Sequence, residues 1–363
     1  VIGYDSEGVD RRIRVWNTLG SSEASEEMFS IITGPPVVTS TTYDGLPFDR
    51  AEPLTITGVG FKSRQVNRVL GLPGGTINYK DALAVTGAAP IIREYPRVAG
   101  IDLAGEVVES QDERFKPGEK VASLVGGLGE TRDGGYAELA RLDASSLEVL
   151  PDAIDTRTAM VLGTAGFTAA LAVHRMEQNG QRPDLGPIVV TGATGGVGAV
   201  AIDLFNGLGY EVAALTGKVE QRDFLESIGA STIIDRRELE LETKPLGRAQ
   251  WGGAVDNLGG DVLSWLTRTV RPSGNIAGIG LAASPKLHTT VMPFILRAVN
   301  LLGINLEFYP ELRASLWARL ADDLAPQHLD VITTREVTLD ELPECFEAYV
   351  EGSVTGRTLV KIA

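Results

Sequence analysis

The sequence predicts an α/β protein with a doubly wound parallel sheet and a second, smaller β-rich domain. Three observations support this prediction. The chain has 363 residues, which is long for a single hydrophobic core. From Pro187 onward, short β-branched runs alternate with helical patterns, as where PIVVTG precedes GVGAVAIDLFNGLG. Between residues 76 and 150, by contrast, short strand-like pieces are separated by Gly and Pro turns.

The alternating half predicts the parallel sheet. Its further strand-like runs are EVAALTG, STIID, GAVDNLG and NIAGIG, with the helical patterns VEQRDFLESIG and DVLSWLTRTV between them. Continuous apolar runs of this kind are typical of strands that are buried on both faces, because helices cover both sides of the sheet. Strands that alternate with helices in this way indicate a doubly wound α/β domain.

The β-rich half contains AGEVVES, EKVASLV and GGYAELARL, and the tail from Ile332 onward predicts a helix, a Gly turn and a final strand. That leftover strand and helix are expected to pack on the β-rich domain. We therefore assign residues 1–150, completed by 327–363, to the first domain and residues 151–326 to the second. Residues 1–75 are the part of the sequence that indicates least, and its stretch GPPVVTSTTYDGLPFDRAEP is loop-like, so we assign that stretch no chemistry.

Composition excludes several classes of protein. The formal net charge is −15, from 33 Lys and Arg against 48 Asp and Glu, so nucleic acid is not an expected partner. Any anionic ligand must then meet a local group of Lys, Arg or backbone N–H donors. No apolar run reaches the roughly 18 residues of a membrane span, and the charged start lacks the apolar core of a signal peptide.

The single cysteine, Cys345, excludes an internal disulfide and suits a reducing compartment, so we expect a cytoplasmic protein. The chain begins with Val1 rather than Met. This start fits either a processed chain or a module of a longer polypeptide.

The stretch TGATGGVG, at residues 191–198, lies between a predicted strand and a predicted helix. It fits the dinucleotide-binding pattern G-x-G-x-x-G, with Ala193 in place of the first glycine. Gly195 would let the backbone approach a pyrophosphate, and Gly198 would let the helix pack closely on the strand. The phosphates would then lie at the helix N-terminus. Glycines that serve packing alone are the alternative.

The next strand indicates which dinucleotide binds. NAD-binding domains usually end this strand with an Asp or Glu that holds the ribose 2′-hydroxyl. Here the strand ends in ALTGK, with Thr216, Gly217 and Lys218, and Arg222 follows one turn later. A hydroxyl and two cations favour a 2′-phosphate, and therefore NADPH. The alternative is that Lys218 and Arg222 only solvate the start of a helix.

Several stretches resemble the zinc-free quinone-oxidoreductase branch of the medium-chain dehydrogenase/reductases, and within it the acrylyl-CoA reductase group. They are NYKDALAVTG, PRVAGIDLAGEVVES, RFKPGEKV, GGYAELAR, MVLGTAGFTAALAV, TTVMPFILRAVNLLGIN and GRTLVKI. TAGFTA together with MPFILR is specific to that group, whereas GGVG and KPGEKV mark only the superfamily. The resemblance covers about residues 76–363. It implies a GroES-like catalytic domain beside a Rossmann-type domain, and residues before 76 depart from the pattern.

The resemblance also implies site residues. Tyr79 is the catalytic candidate, with Asn78 and Lys80 beside it. NADPH contacts are implied at Tyr79, Thr168, Thr194, Gly195, Gly196, Val197, Thr216, Gly217, Lys218, Arg222, Leu258 and Ile279. Each candidate has a structural alternative. Tyr79 could pack under its loop, Asp81 is expected to cap the following helix rather than act as a base, and Arg297 would either grip an anionic group of the substrate or form a structural salt bridge.

The implied reaction is NADPH-dependent reduction of the C=C bond of a short enoyl-CoA, with acrylyl-CoA to propionyl-CoA as the leading example. The alternatives are a quinone or enone reductase that uses the same hydride geometry, and a nucleotide-binding protein without turnover. No His lies in a recognised site motif, so the proton must come from a hydroxyl, a Lys or water.

No bound metal is expected. In zinc-dependent relatives the corresponding motifs carry ligands, whereas here NYKD and GID place Asn78 and Ile101 at those positions. The three histidines, His174, His288 and His328, are scattered, and one cysteine cannot build a Cys-rich structural site. Lastly, NLLGINL at residues 300–306 predicts an edge strand, and such a strand pairs across a dimer in the family. A homodimer, or association with other modules of a longer polypeptide, is therefore expected.

Overall fold

The computed structural model describes residues 66–241 and 244–362, together with four short strands before residue 66, and it describes side chains from residue 74 onward. The rest of the unmatched segment 1–75 lies outside the described residues. The strands are β1 (Ile2–Tyr4), β2 (Ile13–Val15), β3 (Val37–Thr41), β4 (Ile56–Val59), β5 (Val66–Thr76), β6 (Arg97–Val98), β7 (Leu103–Glu109), β8 (Lys120–Ser123), β9 (Leu139–Asp143), β10 (Glu148–Val149), β11 (Ile188–Thr191), β12 (Val212–Thr216), β13 (Thr232–Asp235), β14 (Trp251–Asp256), β15 (Val270–Gly278), β16 (Asn300–Gly303), β17 (Thr333–Thr338) and β18 (Arg357–Lys361). The α-helices are α1 (Tyr79–Thr86), α2 (Thr156–Gln178), α3 (Gly196–Gly207), α4 (Arg222–Ser227), α5 (Gly260–Thr269), α6 (Met292–Arg297), α7 (Arg313–Leu320), α8 (Leu329–Ile332) and α9 (Phe346–Val350).

Six parallel strands form the sheet predicted from the alternating half. Their order is β13-β12-β11-β14-β15-β16, and every neighbouring pair is parallel. This is the 3-2-1-4-5-6 order of a doubly wound domain, in which the strand order reverses between β11 and β14. Ligands of such sheets bind outside the carboxyl ends of the strands at that reversal. The predicted fold class is confirmed.

Both faces of this sheet are buried. Ile188 and Val190 of β11 belong to the hydrophobic cluster that includes residues of α2 and α3. Val189, between them, belongs to a second cluster with Trp251 and Trp265 on the opposite face. Alternate residues of a strand point to opposite faces, so a run in which every residue is apolar is what two covered faces require.

The second sheet is the β-rich, GroES-like part. Its strands lie in the order β10-β8-β7-β5-β18-β17, and β9 also pairs with β5. The two strands of the tail, β17 and β18, pair with each other, and β18 pairs with β5. The tail therefore returns to the β-rich sheet, as expected. The boundaries at 150/151 and 326/327 remain a prediction.

Helix α2 runs between the two sheets. Asp155 begins it as a capping residue, since its side chain accepts a hydrogen bond from the Thr158 backbone N–H. Among the described residues it is the one helix long and apolar enough to cross a membrane, and most of that stretch is buried inside the protein. A buried core helix passes the same test, so this finding does not indicate a membrane protein.

Helix α2 has a kink at Gly163. This glycine has φ +50° inside α2, a conformation that side chains disfavour. A Cβ at this position would also overlap with the Asp102 carboxylate and the Arg357 guanidinium. Glycine is therefore needed here for two charged side chains to reach the helix.

Candidate active site

The first turn of α1 carries the NYKD motif. Asn78 is the N-cap, and its backbone N–H donates to Asp81 Oδ2 at 2.8 Å, so the two residues form a capping box. Asp81 Oδ1 accepts a second backbone hydrogen bond, from Ile101, at 2.8 Å. Asp81 thus caps the helix, as expected, and also holds the loop that leads to Asp102.

Asp102 lies at the centre of a buried polar network. Its side chain is fully buried, and its carboxylate accepts hydrogen bonds from Asn78 Nδ2 at 2.8 Å and from the Thr164 backbone N–H at 2.9 Å. The Thr164 hydroxyl donates to the other carboxylate oxygen. The kink at Gly163 places these Thr164 donors beside the carboxylate.

Arg357, the first residue of β18, completes the network. Its Nη1 donates to Asn78 Oδ1 at 3.0 Å, and its Nε donates to the Val161 carbonyl at 3.0 Å. Its Nη2 lies 3.7 Å from Asp102 Oδ2 and is buried without a hydrogen-bond partner among the described atoms. The same side chain lies against the glycine turn, because a Cβ on Gly196 would be 2.9 Å from Arg357 Cδ. Arg357 therefore connects the NYKD helix to the predicted dinucleotide site.

Burial changes the pKa values of the two acids. Desolvation, with a smaller contribution from the nearby Asp102 charge, raises the pKa of Asp81 from 3.8 to about 7, although two backbone N–H donors oppose the shift. Burial also raises the pKa of Asp102, while Arg357 and the hydrogen bonds from Thr164 and Asn78 favour its ionised form. The two buried carboxylates therefore have different surroundings. The positive charge of Arg357 favours the ionised form of Asp102, whereas the charge of Asp102 disfavours the ionised form of Asp81.

The raised pKa of Asp81 predicts a pH-dependent stability. The folded protein holds the Asp81 proton more tightly than the unfolded chain does, so this contribution is complete below about pH 3.8 and is lost as the pH rises to about 7. A shift of this size corresponds to about 4 kcal/mol in the free energy of unfolding. Urea unfolding between pH 4.5 and 8 should therefore show a smaller loss of stability with pH in Asp81→Asn than in the wild type.

The exposed Asp152→Asn is the matched control for this comparison, and it should keep the wild-type pH slope. Equal slopes for Asp81→Asn and the wild type would contradict the assignment of the raised pKa to Asp81.

The parallel register brings the predicted cofactor residues to one edge of the sheet. Thr191 of β11 pairs with Leu215, Thr216 with Asp235, and Asp256 with Gly278. The residues that follow these strand ends lie along the same edge: Thr194, Gly195, Gly196, Val197, Gly217, Lys218, Leu258 and Ile279. Asp256 joins two of the segments, because its carbonyl accepts the Ile279 N–H and its carboxylate accepts the Leu258 N–H.

The glycine turn fits a dinucleotide phosphate. Helix α3 begins at Gly196 after the N-cap Gly195, and no side chain caps its first N–H groups. Such free N–H groups at the positive end of a helix favour an anion. A Cβ on Gly198 would overlap with the Gly192 carbonyl, which shows the close packing of helix and strand that the pattern predicts. Close packing therefore requires Gly198, whereas Gly195 and Gly196 lie at the start of α3, where a phosphate would bind.

The end of β12 holds the cations predicted for a 2′-phosphate. The Lys218 backbone N–H donates to Thr216 Oγ1 at 3.0 Å, and its ammonium group donates to the Val354 carbonyl at 2.7 Å. Burial lowers the pKa of Lys218. Arg222 instead pairs with Glu226 on its own helix at 3.2 Å, in an exposed ion pair. A contact of either cation with a 2′-phosphate stays a prediction.

Sequence reasoning missed two further cations at this edge. Arg237 Nη2 donates to the Gly217 carbonyl at 2.7 Å, and a Cβ on Gly217 would be 3.4 Å from Arg236 Nη2. Both arginines follow β13, the parallel neighbour of β12, so their strand ends lie side by side. The pair RR directly after STIID was the available indication.

The other predicted site residues lie in helices rather than directly after the strands of the parallel sheet. Tyr79 begins α1 and is 44% exposed, and Lys80 pairs with Glu130 at 2.8 Å. Thr168 is buried within α2. Arg297, at the end of α6, donates to the carbonyls of Arg268 and Gly247 at 2.8 and 2.6 Å. Its guanidinium is thus held by backbone carbonyls rather than by a carboxylate, and a substrate contact remains a prediction.

A zinc ion does not fit the NYKD centre. Asn78 offers an amide whose oxygen accepts from Arg357 and whose nitrogen donates to Asp102, so both polar atoms are used. Within the described part of the chain, no group of three or more His, Cys, Asp or Glu side chains could hold a metal ion. Zinc sites need such a group of thiolate, imidazole or carboxylate donors.

A glycine turn at the reversal of a doubly wound sheet, beside a GroES-like sheet that includes β18, is the arrangement of medium-chain dehydrogenase/reductases. Two family models match the chain. The alcohol dehydrogenase GroES-like domain matches residues 73–152, and the zinc-binding dehydrogenase model matches residues 196–322. With relatives at 44–46% identity, the chain belongs to this superfamily, and the family resemblance seen in the sequence is confirmed.

Three relatives illustrate the similarity. Acrylyl-CoA reductase AcuI of Ruegeria pomeroyi is 44% identical over 289 residues, which are 79% of this chain and 87% of AcuI. A Bacillus subtilis protein whose name includes "quinone oxidoreductase YhfP" is 46% identical over 288 residues, 79% of this chain and 87% of its own, and a structure of yhfP with NAD bound has a TM-score of 0.79. The structure of E. coli K-12 YhdH with bound NADPH is 43% identical, covers 82% of this chain and 92% of YhdH, and has a TM-score of 0.78.

Proposed function

We propose that the protein is an NADPH-dependent reductase of the C=C bond of a short enoyl-CoA, most specifically acrylyl-CoA to propionyl-CoA. The observation that carries the proposal is the contact of Arg357 with both Asn78 and the Gly196 turn. This contact places the glycine turn, which suits dinucleotide phosphates, beside the buried polar centre of Asn78 and Asp102. The name of the R. pomeroyi relative supports the substrate, and the NADPH-bound E. coli structure supports the cofactor.

Residues at the edge of the parallel sheet would hold the cofactor. The N–H groups at the start of α3 suit the pyrophosphate, and Lys218, with the nearby Arg236 and Arg237, suits the 2′-phosphate. Thr216, Gly217 and Lys218 stand where β12 ends and carry no carboxylate, so a hydroxyl and a cation replace the usual acceptor for a ribose 2′-hydroxyl. When bound, the cofactor supplies a hydride to the β-carbon of the substrate.

The chain's own residues would orient the substrate and stabilise its charge. Hydride addition to the β-carbon of an enoyl thioester leaves negative charge on the thioester oxygen, and fixed donors stabilise such a charge. The Arg357 guanidinium would supply such a positive charge, because its Nη2 has no hydrogen-bond partner among the described atoms, while Asn78 fixes its Nη1 and the Val161 carbonyl fixes its Nε. Tyr79, at the exposed start of α1, would hold the cofactor and substrate in register.

The α-carbon must then gain a proton. Lys80 is a weak candidate, because its ammonium group is paired with Glu130. The Tyr79 hydroxyl and solvent remain, and we assign Tyr79 the positioning role with protonation from solvent.

The remaining parts of the proposal are a cytoplasmic location, which suits the single Cys345, and a homodimer through the edge strand β16.

A quinone or enone reductase is the second candidate, because the B. subtilis relative carries that word in its name. The same hydride geometry would serve either acceptor. Loss of NADPH absorbance decides between them: we expect turnover with acrylyl-CoA that exceeds turnover with a soluble quinone at least tenfold. Faster turnover with the quinone would support the second candidate, and no turnover with either would contradict both.

The cations at the end of β12 predict a preference for NADPH over NADH. We expect kcat/KM to favour NADPH at least tenfold, which is about 1.4 kcal/mol. Lys218→Ala should remove most of this preference, because it deletes a cation from the 2′-phosphate site. Steady-state kinetics with both cofactors measures the ratio.

The exposed Lys116→Ala provides the control, since it removes one positive charge from the turn between β7 and β8. An unchanged NADPH preference in Lys218→Ala would show that Lys218 does not recognise the 2′-phosphate.

A further inference from the structure

A loop of the tail contacts the predicted cofactor site at two points. We name residues 352–356, between α9 and β18, the C-terminal loop. Its Gly356 N–H donates to the Thr194 carbonyl in the glycine turn at 2.8 Å. Its Val354 carbonyl accepts the hydrogen bond from the Lys218 ammonium group at 2.7 Å. One loop from the GroES-like side thus meets both the pyrophosphate segment and the 2′-phosphate segment.

Several hydrogen bonds also support the C-terminal loop. The Ser353 backbone N–H and hydroxyl both donate to the Ala348 carbonyl, at 2.9 and 3.0 Å. The Thr334 hydroxyl donates to the Thr355 carbonyl at 2.6 Å. Gly352 and Gly356 provide the positive φ angles, +70° and +68°, at its two ends. Because these contacts fix the parts of the loop on both sides of Val354, we expect the Lys218 bond to Val354 to affect the segment that leads to Arg357.

The residue directly after the C-terminal loop is Arg357. Its guanidinium holds the Asn78 amide and lies beside Asp102. Only two residues, Thr355 and Gly356, lie between Val354, whose carbonyl is bonded to Lys218, and Arg357. The anchor of the loop and the polar centre are thus close together in the chain, although Lys218 follows β12 of the parallel sheet and Asn78 caps α1.

Lys218 has the donors to serve two acceptors at once. An ammonium group carries three N–H donors, and one of them is used by the Val354 carbonyl. The other donors can bind phosphate oxygens without breaking that bond. The carbonyl then fixes the ammonium group in advance of the ligand, which reduces the entropy that binding would otherwise cost.

We propose that the C-terminal loop couples the 2′-phosphate of NADPH, through Lys218, to the positions of Arg357 and Asn78. Lys218 is thereby a positioning residue for the reaction as well as a phosphate ligand. The coupling is reciprocal, because a phosphate that orders the loop is bound more tightly by an ordered loop. The phosphate half of this inference rests on the proposed function, whereas the anchoring of the loop by Lys218 does not.

Hydrogen exchange of the cofactor-free protein tests the anchor. Lys218→Met keeps the apolar stem and removes the donor, so peptides covering residues 352–357 should exchange about tenfold faster than in the wild type. Lys218→Arg retains a donor and should stay within threefold of the wild type. The exposed Lys116→Met is the control and should not change this exchange. Equal exchange in Lys218→Met and the wild type would overturn the anchor, and with it the coupling.

Two further measurements test the coupling. Saturating NADPH should slow exchange of the same peptides about threefold more than saturating NADH does in the wild type, and this difference should vanish in Lys218→Met. With a reducible substrate, Lys218→Met should lower kcat at saturating NADPH about tenfold, to the value measured with NADH. A change in KM alone, with kcat and exchange retained, would overturn the coupling.

The proposed function can fail separately. If the wild type oxidises NADPH with neither acrylyl-CoA nor a quinone, the proposed reaction is wrong. The exchange difference between NADPH and NADH then still decides whether the loop senses the 2′-phosphate.

Discussion

Arg357→Met should lower the free energy of unfolding by about 3–5 kcal/mol. The substitution keeps a long apolar side chain but leaves the Asp102 carboxylate buried without its cation, and an uncompensated buried charge is strongly destabilising. It also removes the hydrogen bonds to Asn78 Oδ1 and the Val161 carbonyl. Urea unfolding, followed by circular dichroism and tryptophan fluorescence, measures the change.

Two variants make this result specific. Arg335→Met, at an exposed position of the neighbouring strand β17, should stay within about 0.5 kcal/mol of the wild type. Adding Asp102→Asn to Arg357→Met should recover at least about 1 kcal/mol, since the double variant no longer buries an unpaired charge. If Arg357→Met and Arg335→Met unfold alike, the ion pair contributes nothing to the fold.

Tyr79→Ala should reduce kcat/KM by about a hundredfold, or about 2.7 kcal/mol, and should weaken NADPH binding as well. Tyr79→Phe should keep the rate within about tenfold, because the ring that positions the cofactor remains. The reason is that orientation of the reacting groups accounts for several kcal/mol of a bimolecular barrier. Steady-state kinetics and titration of NADPH binding measure the two effects.

An obligatory proton donor would give a different result. Tyr79→Phe would then be slower by about a thousandfold, on the order of 4 kcal/mol, while NADPH affinity stayed unchanged. That outcome would contradict the positioning role. Tyr95→Phe, at another exposed tyrosine, controls for the loss of a hydroxyl group and should leave kcat within twofold.

The fold could be predicted from the sequence because its evidence is local. A run such as PIVV and the turn ATGGVG are short, and the physical reason for each residue lies within the same strand, turn or helix. The return of the tail to the β-rich sheet was predicted for a similar reason, since a strand must find a pairing partner. Each of these predictions needed only neighbouring residues.

The buried polar centre was only half predictable from the sequence. Asn78 and Tyr79 stand in a recognised motif, but Asp102 and Arg357 lie in the runs GIDLAG and GRTLV, where each looks like an isolated charge among small and apolar residues. What makes them a pair is a tertiary contact between residues 255 positions apart. A charge inside an apolar run was the one available indication, because buried charges are seldom left unpaired.

The positions of Arg236 and Arg237 could not be predicted from the sequence for the same reason, because they depend on a tertiary contact. They follow β13, and their proximity to Gly217 depends on the parallel pairing of β12 with β13. Reasoning along a single strand identified Lys218 and also Arg222, which the structure places in a separate ion pair. The order of strands in the sheet decides that Arg236 and Arg237 lie near Gly217, and this order cannot be seen within one strand.

The position of Arg357 in the last described strand has a consequence for synthesis on the ribosome. Asn78 and Asp102 emerge early, whereas the guanidinium that bonds to Asn78 follows 279 residues later. Until β18 pairs with β5, the nascent polar centre has no cation and cannot close. We therefore expect ribosome-bound chains that stop before β18 to be protease-sensitive around residues 78–102, even with the parallel sheet already folded. Activity would begin only once the final strand is released.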